Sequence, residues 1–395
     1  MHAKTVGYYL SRVLILIGIL LIISLGVAWG YGDDEYSCRG LAWSAIIALA
    51  GSLILRVAIR PRIREVELGV RDAVAIVVFG WVIAASLGAI PYLMSGVIRR
   101  PIDAFFESMS GLTTTGASIL TVVDGLPHGI LFWRSLTHFL GGMGVLMLFL
   151  AILPNLPGGG VQLFRAEMTG PSKDRLTPRL AGTAKLLWSV YVGLIVLQTF
   201  LLRFGGLSWF DAACHSMATM ATGGFSTHTA SIGAFGSLYV EIVIIFFMIL
   251  GATNFALLFR FAMGEPSRMF RSEEFRFFIG LWLVLCTATS LNLYYSNIYK
   301  SWGGAIRHGF FAMTSILTTT GFGTENFALW PMTSRVLLLM AMFVGGCAGS
   351  TAGAIKQFRL LVVLEEIRRQ VRSFLYPSGV FAVKVDDKAI SSDGV

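Results

Sequence analysis

Three short strings hold most of the residues in this chain whose spacing could do chemistry, and none of them is an enzyme's set. They are "LTTTGAS" around Thr114, Thr115 and Gly116, "ATGGFS" around Thr222, Gly223 and Gly224, and "LTTTGFG" around Thr319, Thr320 and Gly321. Each offers hydroxyls and bare peptide, with no carboxylate, thiol or imidazole inside it. Such material suits an alkali ion. Extended backbone relaxed by glycine can turn its carbonyls inward and replace the ion's hydration shell. Neutral oxygens also give several weak sites rather than one tight one, as rapid permeation requires. The third string lies close to the filter sequence T-V-G-Y-G.

The strings are copies of one pattern. With Gly116, Gly224 and Gly321 superposed, "DAFFESMSGLTTTGAS" (103–118), "DAACHSMATMATGGFS" (211–226) and "GFFAMTSILTTTGFG" (309–323) align without gaps. The glycines lie 108 and 97 residues apart, room for two membrane spans per copy. A second glycine cluster follows each: "GGMG" at Gly141, "GATN" at Gly251 and "GGCAG" at Gly345, which start 25, 27 and 24 residues after the aligned glycine. About ten to twelve residues of helical character precede each string, with Asp103, Asp211 and Ser301 as candidate N-caps. Ten helical residues reach about 15 Å, half of a hydrocarbon core about 30 Å thick. The segments must therefore enter and leave on one face.

Non-helical backbone at that depth is tolerated only where protein buries it or it lines a watery cavity. The negative end of each short helix favours a cation there. One copy could be a small-residue packing patch; three in-phase copies, each behind a half-length helix, read as selectivity filters.

The rest of the chain must hold these strings in a bilayer. Its 395 residues are 55% hydrophobic and 13% charged, with a mean hydropathy of +0.73, far from the ~25% charge of a soluble domain. Eight stretches are predicted to span: 10–29, 41–59, 74–93, 130–153, 183–202, 237–263, 275–293 and 335–364. The first is expected to be retained rather than cleaved as a signal peptide. The fold class is thus all-α membrane protein, about eight transmembrane helices with three re-entrant pore loops.

The expected organisation is two leading helices (1–68), a first pore repeat (69–160), a cytoplasmic loop (161–182), a second repeat (183–265), a third (266–375) and a cytoplasmic tail (376–395). The net charge of +9 does not mark nucleic-acid binding. Its arginines and lysines cluster after the even-numbered spans, as the positive-inside bias requires for a cytoplasmic N-terminus, with Arg99 and Arg100 a minor exception on the outer side. The third, fifth and seventh spans then run outward, and the pore loops open on the outer face. Four scattered cysteines and six isolated histidines suggest neither a disulfide framework nor a metal centre. No nucleophile–base pair or paired carboxylates occur in the spans, so no enzyme is expected.

Three polar residues sit apart. Glu107 lies in the first short helix, where His215 and Ala312 occupy the aligned positions; it could shape the cation's approach or be a hydrogen-bonded structural acid. Arg134 and Glu241 lie near the outer ends of their spans and could be functional or snorkel to the interface.

The sequence resembles the Trk/Ktr/HKT superfamily of potassium transporters, specifically its bacterial TrkH/TrkG type. The resemblance is carried by "FFESMSGLTTTGAS", "FWRSLTHFLGGMG" (132–144), "QLFRAEMTGPSKDRLTPRLAGTAKLLW" (162–188), "ATGGFSTH" (221–228) and "GGCAGSTAGAIK" (345–356). It implies span–pore-loop–span units around a single pore, K+ as the transported ion without a bound cofactor, and residence in the bacterial cytoplasmic (inner) membrane. It also implies a homodimer and a cytoplasmic TrkA-type nucleotide-binding regulatory subunit. Glycine rather than serine at Gly116 implies potassium over sodium.

Interior glycines each cost a helix about 1 kcal/mol, so the eighth stretch is expected to break. The resemblance makes Gly345, Gly346, Gly349, Ser350, Thr351 and Gly353 an intramembrane gating loop. The family has four such units and only three appear here. The leading expectation is potassium uptake through a channel-like pore with a backbone-carbonyl filter. The alternative is a truncated non-conducting fragment or interaction subunit that assembles with a full-length homologue or a separately encoded fourth repeat. The chain by itself is expected not to conduct.

Overall fold

A computed structural model describes residues 2–59, 69–144 and 180–376, with 379, 381–382, 384–386 and 388–389 in the tail. The described chain falls into two compact units, one within residues 1–243 and one made mainly of 244–395.

In the first unit, α1 (Ala3–Tyr31), α2 (Glu35–Ile59) and α3 (Val70–Met94) are long apolar helices packed on one another. Their contacts use small polar residues: Ser44 Oγ donates to the Leu87 carbonyl at 2.6 Å and Ser52 Oγ to the Ser11 carbonyl at 2.8 Å. In an apolar solvent, small side chains let helices approach closely and their hydroxyls find a carbonyl. Next come the short helix α4 (Pro101–Leu112) and α5 (His128–Gly142). The long α6 (Leu180–Phe204) and the short α7 (Trp209–Met220) follow.

The next helix, α8 (Leu238–Gly251), leads into α9 (Phe255–Ala262). The second unit continues with α10 (Pro266–Arg271), the long α11 (Glu273–Tyr295), the short α12 (Trp302–Leu317), α13 (Met332–Met342) and α14 (Gln357–Leu375). Its core joins Phe278 and Leu293 of α11, Met313 and Leu317 of α12, Trp330, and Leu338 of α13. A hairpin of two-residue strands, Lys384–Val385 and Lys388–Ala389, stands in the tail.

Of the eight predicted spans, five are helices long and apolar enough to cross a membrane, and they are α1, α2, α3, α6 and α11. Two of the others differ for identifiable reasons. The span predicted at 237–263 is bent by 109° between α8 and α9. The helix stops at Gly251, and Asn254 restarts it by accepting from the Ala256 N–H at 2.8 Å. The span predicted at 335–364 is two helices separated by residues 343–356. Much of α14 is charged, with Glu365, Glu366, Arg368 and Arg369 making i,i+3 pairs. The one predicted at 130–153 is described only through Gly144, and most of the loop 161–182 lies outside the described residues.

Candidate functional site

Each string sits at the C-terminal end of a short helix: α4 of 12 residues, α7 of 12 and α12 of 16. Ser301 caps α12, its hydroxyl accepting from Gly304 N–H at 3.2 Å. Asp103 and Asp211 stand instead in the first turns, where their charge faces the helix dipole. The cap of α7 is Ser208, which accepts from Asp211 N–H at 3.0 Å; the first helix opens on Pro101.

The three strings share one backbone conformation. Thr114, Thr222 and Thr319 have φ of 54°, 51° and 56°, and Gly116, Gly224 and Gly321 have 71°, 82° and 86°, while the residue between each pair does not enter the left-handed region. A β-branched residue there is a genuine outlier, of order 1–3 kcal/mol. Three at the aligned position mean that the strain is built in. Backbone that alternates hand turns successive peptide groups toward one side, the requirement for a row of carbonyl ligands.

Equivalent hydrogen bonds hold the shape. Thr115, Gly223 and Thr320 donate their N–H to the carbonyls of Ser110, Ala218 and Ser315 at 2.9, 2.9 and 2.8 Å. In copies one and three, Ser110 and Ser315 donate their hydroxyls to Ala117 and Phe322 carbonyls at 2.6 and 2.7 Å. The hydroxyls of Thr113 and Thr115, and of Thr318 and Thr320, also pair at 2.8 Å.

Within the first unit, strings one and two lie against each other. A Cβ on Gly116 would stand 1.9 Å from the Gly223 carbonyl oxygen. The following glycines bring their helix to the same place: a Cβ on Gly141 would meet the Leu112 carbonyl oxygen at 1.9 Å, and one on Gly142 would meet Ala221 at 2.7 Å. Any side chain there would displace the ends of two short helices. The third string belongs to the second unit.

Arg134 does not snorkel, and its partner is Glu107. Both are buried, and Arg134 Nη2 lies 2.9 Å from Glu107 Oε1. The Glu107 carboxylate also accepts from Ser118 Oγ at 2.8 Å and Ile119 N–H at 3.1 Å. Of the two readings open for Glu107, the hydrogen-bonded acid is the one its surroundings describe. Glu241 is buried as well. His138, for which the sequence offers no signal, is fully buried and stacks on Phe225 at 4.2 Å.

In the second unit, residues 343–356 form an ordered loop with a parallel bridge from Val344 to Ile355. It braces the bend after α8. Cys347 N–H donates to the Ala252 carbonyl at 2.8 Å, Thr351 Oγ1 to the Gly251 carbonyl at 2.9 Å, and Phe255 N–H to the Gly349 carbonyl at 3.0 Å. A Cβ on Gly346 would lie 2.6 Å from the Ala252 carbonyl oxygen, and one on Gly345 would overlap the Gly353 carbonyl. Ser350 Oγ turns back to the Cys347 carbonyl at 2.6 Å. Glu274 of α11 accepts from Ala348 and Phe358 N–H at 2.6 and 3.1 Å. Lys356, buried, gives its ammonium to the carbonyls of Ser350 and Ala352. Most directly, Gly353 N–H donates to Thr319 Oγ1 at 2.7 Å, joining the loop to the third string.

Among the described residues no group of three His, Cys, Asp or Glu side chains could hold a metal ion. The arrangement offers backbone oxygens, hydroxyls and a loop tied to one of them, which suits passage of an ion. Residues 44–393 match the family model described as TrkH, cation transport protein. The chain belongs to the TrkH family. That is a family of membrane transporters, not of enzymes, and this chain is a multi-pass membrane protein. It is 41% identical to the Trk system potassium uptake protein TrkH of Escherichia coli K12, over 99% of this chain and 80% of that one. With the Trk system potassium uptake protein TrkG of the same organism it shares 38% identity over 82% of this chain and 68% of that one. The crystal structure of the potassium transporter TrkH from Vibrio parahaemolyticus superposes with a TM-score of 0.85 at 34% identity, covering 99% of this chain and 80% of that one.

Proposed function

We propose that this chain takes up potassium across the bacterial cytoplasmic membrane through a channel-like pore. The observation that carries the reading is the threefold recurrence of a left-handed threonine and a left-handed glycine, two residues apart, at the end of a short helix. The ion sheds its water and is held by backbone carbonyls of Thr114, Thr115 and Gly116, of Thr222, Gly223 and Gly224, and of Thr319, Thr320 and Gly321. Residues Gly345, Gly346, Gly349, Ser350, Thr351 and Gly353 act as the gate, with the bond from Gly353 to Thr319 as its catch. The relatives named for potassium uptake support the choice of ion.

The N-terminus lies in the cytoplasm, supported by the charge bias. The working assembly is a homodimer with a cytoplasmic nucleotide-binding subunit of the TrkA type, on the resemblance to the family. The test is uptake of rubidium against sodium by Gly224→Ser and Gly321→Ser. Each adds a Cβ where φ is left-handed and is expected to lower the rubidium-to-sodium ratio. A ratio unchanged in both would overturn the assignment.

A further inference from the structure

We infer that Arg134 is a positioning residue that sets ion selectivity by fastening the segments behind the first two filter strings to each other; the inference rests on the filter reading above. Ser118 and Ser226 occupy the same aligned place, two residues beyond Gly116 and Gly224. Arg134 reaches both. Its Nη2 donates to Ser118 Oγ at 3.3 Å and its Nη1 to the Ser226 carbonyl at 3.2 Å. The guanidinium carbon also lies 4.1 Å from the ring centroid of Phe225, the residue directly after Gly224.

Each serine is separately tied to its own short helix at aligned positions. Ser118 Oγ donates to Glu107, and Ser226 Oγ is 2.9 Å from His215 Nε2. The two repeats thus share a strut from helix to post-filter serine, and Arg134 is the crosspiece between the struts.

A guanidinium suits this place because its planar fork donates in several fixed directions at once, which an ammonium cannot copy. It is 2% exposed and its charge is met by a carboxylate 0% exposed. Breaking the pair would leave one charge buried without its partner, so the crosspiece is kept in a single geometry. Discrimination between two alkali ions depends on the number and placement of carbonyls around the ion. A group that fixes the spacing of two filter strings therefore acts on selectivity without touching the ion.

The experiment is tracer uptake of rubidium and of sodium by the full chain in proteoliposomes, compared for Arg134→Lys, Arg134→Gln, Ser118→Ala and Phe225→Leu, with Gly224→Ser as reference. Arg134→Gln is expected to lower the rubidium-to-sodium ratio by about tenfold, and each milder variant by about threefold, as single charge-assisted contacts are lost. Arg134→Lys should keep part of the ratio. A purely structural role would reduce the amount of folded protein, and hence both fluxes equally, leaving the ratio alone. If Arg134→Gln does not fold, the other three decide. A wild-type ratio in Arg134→Lys, Ser118→Ala and Phe225→Leu, with a changed one in Gly224→Ser, overturns the inference and leaves the filter reading standing. A wild-type ratio in Gly224→Ser as well, or no rubidium uptake by the unaltered chain, overturns the filter reading and this inference with it.

Discussion

The ion pair of Glu107 and Arg134 illustrates how little the net value of a buried pair resembles the cost of breaking it. Replacing both members by neutral groups of similar shape can be close to free, whereas removing one strands a charge, at about 3–5 kcal/mol. Arg134→Gln is therefore expected to lower the melting temperature in detergent sharply, and Glu107→Gln combined with Arg134→Gln to recover much of that loss. Thermal unfolding followed by tryptophan fluorescence would read both; a double variant as unstable as the single one would contradict the argument. The two residue types were visible in the sequence, but their pairing was not. They lie 27 positions apart, on different helices, and neither belongs to a motif that fixes the other's orientation.

Two connections between elements have measurable consequences. The first joins the 343–356 loop to α12 through the Gly353 N–H and the Thr319 hydroxyl. Valine keeps the shape of threonine and removes the acceptor, and one such bond is worth about 0.5–1.5 kcal/mol. If that loop is the gate, Thr319→Val should raise rubidium uptake by roughly 2–10-fold at matched expression; uptake at or below wild type would count against the latch. The second joins the segments that follow the first two strings. Asp124 accepts from Thr229 N–H at 3.2 Å and lies 3.0 Å from His228 Nδ1. The hydrogen bonds from Thr229, then His228, hold its carboxyl below the usual carboxylate range. A depressed carboxylate stabilises the fold above its unfolded value of about 4 and loses that contribution as pH falls through its folded value. The melting difference between wild type and Asp124→Asn should be fully present at neutral pH and vanish in strong acid. A difference that does not depend on pH would show that the carboxylate's charge is not what matters.

For the molecule as a whole, the pattern of spans was legible wherever hydrophobicity ran unbroken, as in α1, α2, α3, α6 and α11. It failed where small residues interrupt a helix without lowering its hydropathy. Gly251 and Asn254 bend one predicted span by 109°, and nothing in a composition window registers a bend. The glycine run after α13 did signal a break, because several glycines within ten positions weaken a helix cumulatively. The shared conformation of the three strings was foreshadowed by their repetition alone. The serines at Ser110 and Ser315 could have been found the same way, since they occupy one aligned position. His138 could not, because its surroundings come from another repeat. The orientation of the whole chain can be checked with Cys38, the one half-exposed thiol among the described cysteines. A membrane-impermeant maleimide should label it on intact spheroplasts, and labelling only after lysis would reverse the topology.

On the proposed function, the left-handed threonines also constrain how an ion pathway can be altered by inheritance. A peptide oxygen has no codon, so no single base change can delete a ligand that the main chain supplies. What mutation can reach is the twist of that chain, through the glycines, and the scaffolding that grips it from behind. On the filter reading proposed above, variation in which ion passes should therefore be sought in the glycines that set this twist and in the side chains packed behind it.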